Sequence, residues 1–147
     1  MIPQFISNGD LPQGVHLATW DELTKRFGTN SHRQRLLVGL KEAMIELQKA
    51  GCRIIYVDGS FVTAEPIPKD FDACWDVIGV DPLLLDPILL RFDNRRAAQK
   101  IKYFGECFPA NMKATVTGLT YFKFLQLNKD TNDPKGIVAV DLRTFTP

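Results

Sequence analysis

The chain lacks several features that would fix its class at once. Its longest apolar run, Leu83 to Leu90, is broken by Asp86 and Pro87 and is too short to cross a bilayer. The first residues carry no basic-then-apolar leader, so no secretory signal is expected. Net charge is nearly absent: 18 Lys and Arg against 17 Asp and Glu leave +1. That balance argues against a broadly basic nucleic-acid binder, while allowing a local basic patch. The three cysteines, Cys52, Cys74 and Cys107, are an odd number without metal-ligand spacing. They read as reduced and buried, which points to the cytoplasm. There is no internal repeat and no low-complexity segment.

What remains is 147 residues of ordinary globular composition. The length predicts one domain over 1–147 with a real core. Residues 1–18 hold the turn-formers SNGD and LPQG and read as an extended arm. His16 within it reads as a surface or hydrogen-bonding loop residue rather than a ligand. Thr19-Trp20-Asp21-Glu22 has the form of a capping box, with a helix ending at Gly28. A longer helix follows from a cap at Asn30 or Ser31 to about Ala50. Leu36, Leu37, Leu40, Met44 and Leu47 mark its buried face. Its basic start, His32-Arg33-Gln34-Arg35, reads as a solvated face, with phosphate or RNA contact as the functional alternative.

The centre of the chain is VDGSFVTAEPIPKDFD, residues 57–72. A strand over Arg53–Val57 runs into the Gly59-Ser60 turn. Gly59 permits close backbone approach to a ligand, and Ser60 offers a hydroxyl and an N–H. A helical turn over Phe61–Ala64 is stopped by Pro66 and Pro68. The next strand, about Phe71–Val77, alternates. Asp70, Asp72, Cys74 and Asp76 share one face, and Phe71, Ala73, Trp75 and Val77 take the core face. Paired carboxylates repel each other and are most easily tolerated around a cation. A donor-bearing turn ten residues before them suggests a phosphate chain bridged by Mg²⁺. Asp76 is a reserve candidate for metal or substrate contact.

Gly-Ser, a short spacer, Asp-x-Asp on a strand and a third acid on a later strand resemble the signature of DNA polymerase beta-type nucleotidyltransferases. Here Gly59-Ser60 and Asp70-Phe71-Asp72 fit the first parts, and Asp141, in the final strand GIVAVDL, fits the last. The resemblance covers about Ser31 to Leu142. The opening NGDLPQGVHLATWDEL is also similar to that of small bacterial nucleotidyltransferase-like proteins. It implies an α/β (α+β) nucleotidyltransferase fold, a small mixed sheet flanked by helices. It implies Asp70, Asp72 and Asp141 as catalytic metal ligands for Mg²⁺ or Mn²⁺, with Gly59 and Ser60 binding the nucleotide. Asp141 would also accept the proton. The activity implied is transfer of a nucleoside monophosphate from a nucleoside triphosphate to a protein or tRNA hydroxyl. A toxin–antitoxin or phage-defence pair is the implied setting. One departure stands out: Thr63 and Ala64 occupy places where many relatives carry a basic residue and a glycine, and Lys69 is the nearest substitute. That departure keeps a second reading open, a non-catalytic binding module such as an antitoxin or regulatory partner. A metal-dependent phosphohydrolase or nuclease is a third.

The remaining chain predicts short helical turns at Asp81-Pro82 and Asp86-Pro87. A helix capped by Asp93 or Asn94 then runs to Gly105. Arg91, Arg95, Arg96, Lys100 and Lys102 make the densest basic cluster, either a polyphosphate surface or a charged helix face. Residues 106–118 read as an irregular connection. LTYFKFLQL, residues 119–127, reads as a helix with core aromatics. Ile137–Leu142 reads as the last strand. The chain ends six residues after Asp141, so base recognition is expected from the arm, the 91–127 region or a partner. Which nucleotide is used and what the oligomeric state is stay open.

Overall fold

A computed structural model describes residues 1–147 as a five-stranded mixed sheet with four α-helices. The first helix, α1, spans Trp20–Phe27 and α2 spans Ser31–Lys49. The capping box forms as its sequence predicts. Thr19 Oγ1 accepts from the Glu22 N–H at 3.1 Å, and Glu22 Oε1 accepts from the Thr19 N–H at 3.2 Å. Asn30 caps α2 through the Arg33 N–H at 2.8 Å.

Strands β1 (Val15–Ala18), β2 (Ile54–Asp58), β3 (Phe71–Trp75), β4 (Gly105–Pro109) and β5 (Ile137–Asp141) lie in the order β1-β5-β2-β3-β4. The outer pairs, β1–β5 and β3–β4, are parallel; β5–β2 and β2–β3 are antiparallel. One sheet face carries Ile55, Val57, Phe71, Ala73, Trp75, Val138 and Val140 into the core, against the apolar stripe of α2. Each of the Ile, Val and Phe side chains among them contributes roughly 1.5–3 kcal/mol. The other face carries Tyr56, Asp58, Asp72, Cys74, Glu106 and Phe108, in register across three strands. The segment after β4, with the one-turn helix α4 (Tyr121–Phe124), covers the lower part of this face. Phe122 lies edge-on to Tyr56 at 4.9 Å between ring centres, and Tyr121 stacks on Phe108 at 3.8 Å. The upper part stays open.

Two elements expected as irregular chain are strands. The arm forms β1, which adds to the free edge of β5. Its Val15 and Leu17 do not pack along the domain: Leu17 is 63% exposed. The connection after residue 105 begins with β4, where Gly105 fits against the Phe71 ring with no room for a Cβ. The third helix, α3, spans Asp93–Tyr103, and neither Asp93 nor Asn94 caps it. Asn94, Arg95 and Arg96 have left-handed backbone, so regular α-helix begins only after them; Phe104, rather than Gly105, supplies the left-handed turn at the end. No helix is long and apolar enough to cross a membrane.

Candidate functional site

Gly59, Ser60, Asp70 and Asp72 come together at the open end of the sheet. They line a cleft of about 710 Å³ with Asp58, Lys69 and Lys135. Its other wall comes from the arm at residues 8–10 and from 124–135. Asp10 holds that wall together: Asp10 Oδ2 accepts from Asn8 Nδ2 at 3.2 Å and from Asn128 Nδ2 at 2.9 Å. The Ala64 N–H donates to the Gly9 carbonyl at 2.9 Å, so the arm is also tied to the chain just after the Gly-Ser turn.

The turn itself needs glycine. Gly59 has φ +80° and ψ −171°, a region essentially closed to residues with a Cβ. A Cβ there would lie 2.5 Å from Asp72 Oδ2. The carboxylate of the second acid therefore sits directly on the turn. Asp70, two residues earlier on the same face, is half-buried. Burial pushes its carboxyl up, and the charge of Glu106 adds to that.

Register places Asp58, Asp72 and Glu106 side by side on β2, β3 and β4. Three carboxylates in adjacent positions are mutually repulsive. Burial and crowding in this row favour protonation of Asp58 and Asp72. Burial pushes Asp72 well above the usual carboxylate range, and its hydrogen bond with Glu106 and the nearby acid charges push the same way. Burial also acts to raise Glu106, but hydrogen bonds from Asp72, Lys100 and Arg96 outweigh it and hold Glu106 low. Arg96 donates to Glu106 Oε1 through Nε at 3.1 Å and Nη2 at 2.9 Å, and Lys100 Nζ stands 3.1 Å from the same oxygen. Burial raises Asp58 to about 7, opposed by Lys135 and by the Gly59 N–H.

Asp141 is not part of this group, which corrects the expectation that it completes the site. β5 runs antiparallel to β2, so Asp141 pairs with Ile54 while Asp58 lies at the strand's other end. Four strand residues separate the two ends, about 13 Å. Asp141 is instead held by Arg143, through Nε at 3.0 Å and Nη2 at 2.9 Å. Asp76 lies at that far end too, 3.7 Å from Arg53. The acid on a later strand that stands beside Asp72 is Glu106. It was missed because GECFP, bracketed by Gly105 and Pro109, does not read as a strand alone. Only its register with β3 identifies the segment as a strand and sets Glu106 opposite Asp72.

The basic features divide. Arg96 and Lys100 reach the site through Glu106, Lys102 pairs with Asp86 at 2.6 Å, and Arg91 pairs with Asp93. Arg33, read as part of a solvated helix face, is only 3% exposed. Its guanidinium donates to the carbonyls of Phe27, Phe61, Thr63 and Glu65, and so fixes the chain that follows Gly59-Ser60. His32 bonds the Pro68 carbonyl in the same connection. His16 bonds Pro12 O at 2.7 Å, a hydrogen-bonding role as expected, but from strand β1 rather than from a loop.

No three of the chain's His, Cys, Asp and Glu side chains form a ready-made metal cage. The donor set of the cleft is nonetheless all oxygen, in Asp70, Asp72 and their neighbours, which suits a hard cation. An α/β protein with an acidic cleft at the open end of a mixed sheet is what fold and site define. Over residues 3–141 the chain matches the model of a family of unknown function, DUF6932, and it belongs to that family. No curated protein and no solved structure matches it.

Proposed function

We propose that the chain is a metal-dependent nucleotidyltransferase that moves a nucleoside monophosphate from a nucleoside triphosphate to a hydroxyl of a protein or RNA. The observation that carries the reading is the seating of Asp72 against the Gly59 turn with Glu106 beside it. That arrangement supplies the signature's turn, its acid pair and an acid on a later strand in one place. Glu106 thereby takes the position that the resemblance had suggested for Asp141. Gly59 and Ser60 present the turn to the phosphates, and Asp70 and Asp72 hold Mg²⁺ or Mn²⁺. One or two carboxylates suffice for magnesium when substrate phosphates supply further ligands. Bound there, the ion would neutralise phosphate charge and lower the pKa of the attacking hydroxyl. The arm and residues 124–135, which form the far wall, are placed to meet the sugar and base. A toxin–antitoxin or phage-defence pair is the setting this reading favours.

The test is to incubate the protein with each α-labelled nucleoside triphosphate, Mg²⁺ and a bacterial extract, beside the Asp70→Asn variant. Label in RNA or in one protein band, absent with the variant, supports the transferase and identifies the acceptor class. Release of free monophosphate makes water the acceptor and the protein a phosphohydrolase.

One observation favours a non-catalytic module. Glu106 is already engaged by Arg96 and Lys100, and Thr63 and Ala64 replace the usual basic grip. On that reading the acids serve nucleotide or partner binding alone, and Mg²⁺ with a nucleotide raises the melting temperature without any label transfer.

A further inference from the structure

Three lysines line the cleft: Lys69, Lys129 and Lys135. Lys69 and Lys129 are exposed. Lys135 is not: its side chain is 13% exposed, and its ammonium lies 3.5 Å from Asp58 Oδ1. Asp58 itself is 1% exposed, and this oxygen has no hydrogen-bond partner. The separation exceeds that of a well-made N–H···O bond. An ammonium has three donors, and the Asp58 contact uses none of them fully. The backbone at Lys135 is fixed as well. Its N–H donates to Gln126 O at 2.8 Å, and the next N–H, of Gly136, donates to Leu11 O at 3.0 Å. A long side chain normally loses its rotamer freedom when it grips a ligand; here folding has already removed most of that freedom.

We infer that Lys135, held in place by Asp58, is the phosphate-gripping cation of the cleft and replaces the basic residue that the chain lacks after Gly59-Ser60. The inference rests on the nucleotide reading above and deepens it. Asp58 directly precedes the turn, so its partner is held beside the place where a polyphosphate would meet Gly59 and Ser60. Of the other cations close to the acids, Arg96 and Lys100 are committed to Glu106, and Lys69, beside Asp70, is exposed rather than held in place. The ligand class is the β,γ-diphosphate portion common to all nucleoside triphosphates, so the grip is independent of the base.

Inorganic tripolyphosphate with Mn²⁺ is the probe, because it carries that portion without a base. Isothermal titration would measure Mn²⁺ alone and then tripolyphosphate in the presence of Mn²⁺. Three proteins are compared: the wild type, Lys135→Gln, and the double variant Asp58→Asn/Lys135→Gln. The double variant removes both charges together, so it leaves no unpaired buried carboxylate to unfold the chain. With Mn²⁺ saturating each protein, both variants are expected to lose tripolyphosphate affinity by at least about tenfold, the loss of one charge-assisted contact. Lys135→Arg should recover part of it. A double variant that folds and binds tripolyphosphate as the wild type does overturns the role of Lys135 and leaves the metal site standing. A wild type that binds neither Mn²⁺ nor tripolyphosphate overturns the nucleotide reading and this inference together.

Discussion

Glu106 faces Asp72 across the parallel pair of β3 and β4. Burial and the neighbouring acids push Asp72 up, while contacts from Asp72, Lys100 and Arg96 hold Glu106 low. A cation bound at Asp72 competes with protonation there, so affinity should rise with pH. Mn²⁺ is expected to bind more tightly at pH 8 than at pH 6 and to release a proton at pH 6. Calorimetry in two buffers of different ionisation enthalpy reads both. Equal affinity with no proton release would put the metal elsewhere.

The same burial makes the metal-free fold sensitive to pH in an unusual direction. The folded value of Asp58 is raised from 3.8 to about 7, and that of Asp72 is raised as well. Through this window the folded state binds more protons than the unfolded one, so stability falls as pH rises. Glu106, held low, has the opposite sign, but its contribution lies below its ordinary value of 4.5, outside the range from pH 5 to 8. The metal-free protein should melt higher at pH 5.5 than at pH 8. Asp72→Asn, which carries a donor toward Glu106 at every pH, should melt higher than wild type at pH 8. A gain of 1 kcal/mol corresponds to about 2–4 °C for a chain of this size. A wild-type melting temperature that rises steadily from pH 5.5 to 8 would contradict this account.

What could be read in advance were the local patterns. Thr19 with Glu22, Asn30 before α2, and the alternation that separates Asp70 and Asp72 from Phe71 and Ala73 each depend on a few neighbouring residues. Features that depend on a partner element were not legible. VHLA becomes β1 only because β5 offers an edge, and GECFP becomes β4 only beside β3. Asp141 was misplaced because its sequence does not state which way β5 runs against β2. Arg33 looked solvated because the carbonyls it satisfies arrive from residues 61–65, about thirty positions later.

Those carbonyls make Arg33 the fixing point for the segment behind the Gly-Ser turn. Arg33→Met would fill similar space but leave the buried Phe27 and Phe61 carbonyls, and the partly buried Thr63 carbonyl, without their donor. Each buried polar group left unpaired costs roughly 1–3 kcal/mol, so the expected loss is about 3 kcal/mol or more in urea denaturation. Arg33→Lys should recover only part of it, since one ammonium cannot reproduce the planar fork. Hydrogen exchange should quicken first in residues 60–65. A loss below about 0.5 kcal/mol, the size of an ordinary surface change, would show that the segment is held by other contacts.

Gly59→Ala tests the link between the turn and the acid. The positive φ penalises alanine by about 1–3 kcal/mol, and the new methyl would press on Asp72 Oδ2. Stability should fall modestly, while Mn²⁺ binding falls further than the stability loss alone explains. Thermal melts with and without Mn²⁺ separate the two effects. If the shift produced by Mn²⁺ is the same in variant and wild type, Asp72 is not a ligand of that ion.

Glu106→Gln and Asp141→Asn decide which later acid belongs to the site. Asp141 lies at the far end of the sheet and is held by Arg143. Its partly exposed pair should contribute only about 0–1 kcal/mol, and its loss should leave metal binding and label transfer unchanged. Glu106→Gln keeps the shape but removes the charge that Arg96 and Lys100 now share, leaving two cations beside Asp70 and Asp72. Transfer should fall strongly while the fold persists. Should Asp141→Asn abolish transfer and Glu106→Gln spare it, the working arrangement of β5 would have to differ from the antiparallel register with β2. That outcome is hard to reconcile with Val138 and Val140, which share this strand and are fully buried in the core. Sliding β5 by one residue would take both out of this core and onto the other face of the sheet.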